Sequence, residues 1–111
     1  MKQIPNVDSA YVEDSKIIDY LLSSVNPRGR DKAAFFRRFG FSLQDWTVLR
    51  DALLEHARAN EAEPLPPNSY GIKYTVTGPL CCPDGRMPRI RAVWIVDVGQ
   101  SNARIVTVVP D

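Results

Sequence analysis

Residues 69–97, SYGIKYTVTGPLCCPDGRMPRIRAVWIVD, decide the fold. The turn Pro83-Asp84-Gly85 sits at their centre. Pro followed by Asp suits a type I turn, and Gly supplies the left-handed residue of a bulged three-residue hairpin loop. That loop predicts pairing of Cys82 with Arg86, Thr77 with Arg91 and Tyr74 with Trp94. Side chains alternate across a strand, so one face carries Tyr70, Ile72, Tyr74, Val76, Ile90, Ala92, Trp94 and Val96. The other carries Lys73, Thr75, Thr77, Arg89 and Arg91, with Val93 and Ile95 between them. The alternative is a two-residue turn at Asp84-Gly85. It would set Lys73 and Arg91 on opposite sides, since a one-residue slip inverts a strand. In the bulged register the hairpin has an apolar face to bury and a cationic face suited to an anion.

A third strand follows at Arg104-Ile-Val-Thr-Val-Val109, rich in β-branched residues. It completes an antiparallel meander. Arg104 and Thr107 are three positions apart, so they are expected on opposite faces of it.

Upstream the pattern is helical. Glu13 to Leu22 has acids at its start and an apolar stripe of Ile17, Ile18, Leu21 and Leu22. Asn26-Pro27-Arg28-Gly29-Arg30 is a loop. Asp31 is placed to cap a short helix from Lys32 to Phe39, stopped by Gly40. Ser42-Leu43-Gln44-Asp45 resembles a capping box. The helix it opens runs to about Ala59, with Trp46, Leu49, Leu53 and Ala57 on its buried stripe. Residues 60–68 contain Pro64, Pro66 and Pro67 and read as a connector.

The expected architecture is one α+β domain over residues 1–111. About three N-terminal helices (about 13–59) pack on one face of a C-terminal three-stranded antiparallel meander (69–110). Tyr74 and Trp94 should meet Phe36, Phe39, Trp46 and Leu53. The Lys73/Arg91 face is then left open to solvent or ligand.

Net charge is +1 over 111 residues, which gives no global pull toward nucleic acid or anionic lipid. The cations cluster locally, in Arg28, Arg30, Lys32, Arg37 and Arg38, and again in Lys73, Arg86, Arg89, Arg91 and Arg104. No apolar run approaches the roughly 18 residues of a membrane span, and the first residues lack the apolar core of a secretory signal. A cytoplasmic protein with no membrane partner is expected. Cys81 and Cys82 are adjacent and form neither a disulfide framework nor a Cys-x-x-Cys pattern. His56 is the one histidine. It lies near the end of the third helix, where a cation would suit the dipole. No nucleophilic triad, metal-ligand cluster, P-loop or dinucleotide fingerprint is present, so no cofactor and no metal are expected.

Two regions could hold an anion. Arg28, Arg30 and Lys32 surround a helix N-terminus, where free backbone N–H groups and cations would converge on an oxyanion. Lys73, Arg89 and Arg91 lie on rigid strands, with Thr107 or Arg104 from the third strand and Tyr70 at the edge. This pattern favours a binding or interaction module whose basic sheet face meets RNA, another phosphate-bearing ligand or a partner protein.

Several segments together carry a resemblance. Lys16-Ile-Ile-Asp-Tyr-Leu-Leu22, Lys32-Ala-Ala-Phe-Phe36, Gly40-Phe-Ser42, Tyr70-Gly-Ile-Lys-Tyr74, Arg91-Ala-Val-Trp-Ile95 and Arg104-Ile-Val-Thr107 resemble a family of small bacterial domains of unknown function. More remotely, helices followed by a meander resemble the layout of the barnase–EndoU–colicin–RelE superfamily of metal-independent ribonucleases, many of them toxins. That resemblance implies the alternative function, a ribonuclease-like toxin domain cleaving RNA by attack of the ribose 2′-OH. Lys32 or Lys73 would then move the proton, Arg91 and Arg89 would clamp the phosphate, and Thr107 or Tyr70 would orient it. The chain departs from histidine-based members, since no histidine lies on the predicted face.

Overall fold

The turn at residues 83–85 forms as the sequence predicts, and it sets the sheet. In the computed structural model, which describes residues 2–111, Gly85 has φ +88°. Its N–H bonds the Cys82 carbonyl at 3.0 Å, and the Cys82 N–H bonds the Arg86 carbonyl at 3.2 Å. The Asp84 carboxylate accepts from the Arg86 N–H at 2.9 Å and from its guanidinium at 2.7 Å. Strand β2 of the sheet (Gly71–Pro79) therefore pairs antiparallel with β3 (Arg89–Asp97), with Thr77 opposite Arg91 and Tyr74 opposite Trp94. Val76, Ile90, Ala92 and Trp94 are buried together, as their shared face requires. Tyr70 falls outside this set and is 75% exposed.

Two features correct the three-strand reading. A further short strand, β1 (Ala62–Pro64), adds to the outer edge of β2, with Ala62 opposite Val76 and Glu63 opposite Thr75. The sheet is four-stranded, in the order β1-β2-β3-β4, with β4 at Arg104–Pro110. The proline-rich stretch hides β1, because proline in a sheet is confined to edges such as this one. The second correction lies in β4. Val93 pairs with Thr107, yet Trp94 pairs with Ile105, so Val106 is an extra residue in a bulge. The bulge restores Arg104 (opposite Ile95) and Thr107 (opposite Val93) to one face. They were expected on opposite faces.

The helices cover the apolar face. Helix α1 (Asp14–Lys16) runs directly into one wide turn, Ile17–Leu21, closed by the Leu22 N–H on the Ile17 carbonyl at 2.8 Å. It buries Ile17 and Leu21. Helix α2 (Arg30–Arg38) buries Ala33 and Phe36; its cap residue is Gly29, and Asp31 lies inside its first turn rather than at the cap. Helix α3 (Trp46–Ala59) buries Leu49, Leu53 and Ala57 with Trp46 half-buried, and the Ser42 hydroxyl accepts the Asp45 N–H at 3.2 Å ahead of it. Among the described residues no helix is long and apolar enough to cross a membrane.

His56 is not a solvated cation at a helix end. It is 3% exposed, and its Nε2–H donates to the Gly78 carbonyl at 3.1 Å, tying α3 to β2. Burial pushes its pKa down, opposed by the carbonyls of Gly78 and Ile90. The folded state therefore holds a neutral imidazole, whereas the unfolded chain protonates near the ordinary value of about 6.5. A group lowered in this way gives stability that is complete above that value and lost as pH falls toward the folded pKa. The urea midpoint should drop between about pH 7 and pH 5, and His56→Gln should flatten that slope. An unchanged slope would place the titrating group elsewhere.

A candidate site beside the edge strand

Three consecutive local features build a hollow of about 530 Å³ against the outer edge of β4. Asp19 and Tyr20 lie in the wide turn that follows α1, where five-residue hydrogen-bonded turns recur at functional sites. Lys16, one helical turn earlier, lies on the same side; its ammonium is 5.3 Å from the centre of the Tyr20 ring. Asn26 then folds the loop back. Its amide donates to the Asp19 carbonyl at 2.7 Å, and its carbonyl oxygen accepts the Arg28 N–H at 2.9 Å. Lys16, Asp19, Tyr20, Asn26, Arg28 and Thr107 thus line one concavity. The Tyr20 hydroxyl meets the Thr107 hydroxyl at 3.0 Å, joining the helical turn to the sheet edge. Beside the hollow, the Lys32 ammonium donates to the Val108 carbonyl at 2.8 Å and satisfies an acceptor on the same edge.

Gly29 permits this closure. A Cβ placed there would lie 2.0 Å from the Tyr20 carbonyl oxygen. That is backbone against backbone, so no side chain can move aside. Gly29→Ala should displace the Asn26–Arg28 loop from Tyr20. It should also abolish ligand-induced shifts in the hollow and lower the unfolding midpoint; amide spectra with and without phosphate would check both. Unaltered spectra would mean the loop has another way to close.

Charge is distributed unlike the sequence expectation. Arg86 pairs with Asp84 at 2.7 Å and also lies over the Phe39 ring at 4.3 Å. Arg89 pairs with Asp111 at 3.3 Å. Arg104 grips Asp97 with two bonds of 2.8 and 3.0 Å, and Glu13 stands 3.9 Å from its guanidinium. The Arg104 hydrogen bond holds the Asp97 carboxyl below the usual range. Among the described residues, Lys16, Arg28, Arg30, Lys73 and Arg91 have no ion-pair partner.

Lys73 and Arg91 do share the open sheet face, as the bulged register requires. Lys73 is four positions from Thr77, the partner of Arg91, so the two are separated by about 13 Å along the strands. Glu63 lies beside Thr75 on the same face, and with Glu61, Thr75 and Thr77 it lines a polar hollow of about 380 Å³. The face is mixed in charge because β1 brings carboxylates to it. Arg89 lies at the far end of β3, Tyr70 precedes β2 at the other end, and Arg30 is exposed on the first turn of α2.

Of the residues singled out from sequence, the hollow brings together Arg28 and Thr107, with Lys32 adjacent. Lys16, Asp19, Tyr20 and Asn26 were missed. A signal existed. Positions 16, 19 and 20 are i, i+3 and i+4, which places all three on one helical face, opposite the apolar stripe that attracted the reading.

An α+β domain with four antiparallel strands and a polar hollow at one sheet edge is thus defined. The model of the domain of unknown function DUF6883 matches residues 3–111, and the chain belongs to that family. No curated protein matches it. Among solved structures, it is similar to a chain of a contact-dependent growth inhibition toxin–immunity protein complex from Klebsiella pneumoniae 342. The TM-score is 0.70 with 17% identity, over 95% of this chain and 96% of that chain. At that identity the likeness is one of fold.

Proposed function

We propose that this domain is a toxin-type, metal-independent ribonuclease acting at the β4-edge hollow. One observation carries the reading. A carboxylate (Asp19), two cations without ion pairs (Lys16 and Arg28) and the Tyr20–Thr107 hydroxyl pair line a single concavity. Sequence alone offered cations with no carboxylate beside them; Asp19 supplies the missing proton acceptor. The fold shared with a chain of a toxin–immunity complex supports a toxin-like role, as does the layout shared with metal-independent ribonucleases.

The chemistry would run as follows. Asp19 takes the proton of a ribose 2′-OH, and O2′ forms a bond to the adjacent phosphorus. Arg28 and the Tyr20 and Thr107 hydroxyls donate to the phosphoryl oxygens as charge builds on them. The phosphorus–O5′ bond breaks, and the Lys16 ammonium gives a proton to O5′. The products are a 2′,3′-cyclic phosphate and a 5′-OH, and solvent resets both proton-transfer groups. Every role is filled by a side chain of the hollow.

A second reading, a binding module without chemistry, is favoured by the neighbour's belonging to a complex of two proteins. In it the hollow holds phosphate or a partner's acidic side chain. Incubation of the purified domain with total RNA in excess chelator separates the two. Cleavage leaving 2′,3′-cyclic phosphate ends is the expected result. Intact RNA, together with phosphate-induced amide shifts in the hollow, would transfer the site to the binding reading.

A further inference from the structure

We propose that the cavity between the end of α3 and the tip of the β2–β3 hairpin binds a soft monovalent cation with the chemistry of Cu(I), held by His56, Cys81 and Met87. The cavity is about 150 Å³ and is lined by these three side chains with Asn60 and Pro79. A nucleotide or drug-sized ligand does not fit such a space; an ion does. It lies by β2, across the sheet from the β4-edge hollow, and does not depend on the ribonuclease reading.

The hairpin sets two sulfur atoms side by side. The Leu80 N–H bonds the Pro88 carbonyl at 2.9 Å, and the Cys82 N–H bonds the Arg86 carbonyl at 3.2 Å. Cys81 and Met87, bracketed by these bonds, are direct cross-strand neighbours, whose side chains share a face. Cys81 is exposed and free. Cys82 is turned away, its thiol toward the Leu80 carbonyl at 3.4 Å.

His56 supplies the third atom. Its Nε2–H is committed to the Gly78 carbonyl, which leaves Nδ1 as a bare lone pair. That nitrogen is buried and has no hydrogen-bond partner, although the residue is only 3% exposed. Buried polar atoms are nearly always satisfied, so an orphan calls for a reason. A metal-bound imidazole has this arrangement, one nitrogen fixed by a backbone carbonyl and the other free to coordinate.

The ligand set selects the ion. Among the described residues no group of three or more His, Cys, Asp or Glu could hold a metal, so zinc lacks its four-donor shell. A thiolate, a thioether and an imidazole suit Cu(I). Binding forms a sulfur–copper bond at Cys81 and releases the thiol proton to solvent; no electron moves. The sequence pattern could not show the set, because its members come from a helix and both arms of a hairpin.

Anaerobic titration of the full chain with Cu(I) against a chromophoric chelator tests the proposal. One equivalent should bind. Met87→Leu should weaken binding by about tenfold or more, the scale seen when a supporting group is removed from a metal site. Cys81→Ser should weaken it further, and Cys82→Ser should leave it unchanged. In the wild-type protein the Nδ1 resonance of His56 should move on addition of Cu(I), a readout that needs no substitution in the core. Equal binding by Met87→Leu with a stationary His56 resonance would mean simple chelation by the adjacent thiols and would overturn the site. Absence of binding, or Zn(II) held as tightly as Cu(I), would overturn it too.

Discussion

Asp19→Asn should lower the rate of RNA cleavage by roughly 10²–10⁴-fold, the range for removing a positioned general base. The stability of the fold should hardly change. Asp19 is exposed, and the contact that organises the loop uses its backbone carbonyl, which accepts from Asn26. The substitution keeps that carbonyl and the shape of the side chain, and removes only the ability to take a proton. Arg28→Ala should cost a similar factor through lost stabilisation of the phosphorane, about 10²–10³-fold by analogy with a deleted oxyanion donor. Lys73→Ala and Arg91→Ala distinguish the hollow from the sheet face. Both cations lie on the open face and line no part of the hollow, so cleavage in these variants should stay within severalfold of wild type. Full activity in Asp19→Asn with loss in Arg91→Ala would move the chemistry to the sheet face, as first expected from sequence.

The sheet was legible because one turn fixes it. Pro83-Asp84-Gly85 sets the register at one end of the hairpin, and period-two alternation carries it to Tyr74 and Trp94. The apolar stripes of the helices were equally legible, since Leu49, Leu53 and Ala57 need only helical spacing. What escaped was whatever a regular period does not encode. Strand β1 is three residues long and ends in proline, so it carries no alternation to detect. The bulge at Val106 is imposed by the neighbouring strand, and it inverts the relation between Arg104 and Thr107. His56 was assigned by helix position alone, and its burial depends on the approach of Gly78. The hollow joins residues 16–28 to Thr107. No local pattern links positions so far apart, and the wide turn that aims Tyr20 at β4 is a departure from helical geometry.

Trp94→Ala should cost about 3–5 kcal/mol of stability, the range for removing a large buried aromatic. Set against a total of about 5–15 kcal/mol for a typical domain, this could leave the chain largely unfolded at 37 °C. Trp94 is fully buried on the central strand β3, opposite Tyr74 on β2 and Ile105 on β4. Its face is the one that α1, α2 and α3 cover, so the cavity left by the ring would be walled by the sheet and cannot readily collapse. The indole N–H is buried without an acceptor. The ring therefore stabilises by its volume and not by a hydrogen bond. Trp94→Phe tests that distinction, because it keeps most of the apolar volume and removes the unpaired donor, whose burial itself costs about 1–3 kcal/mol. The Phe variant should lose well under half of what the Ala variant loses, as measured by urea unfolding followed by far-ultraviolet circular dichroism. Losses of equal size would show that the indole nitrogen contributes a bond, and the packing account of the core would have to yield to a polar one.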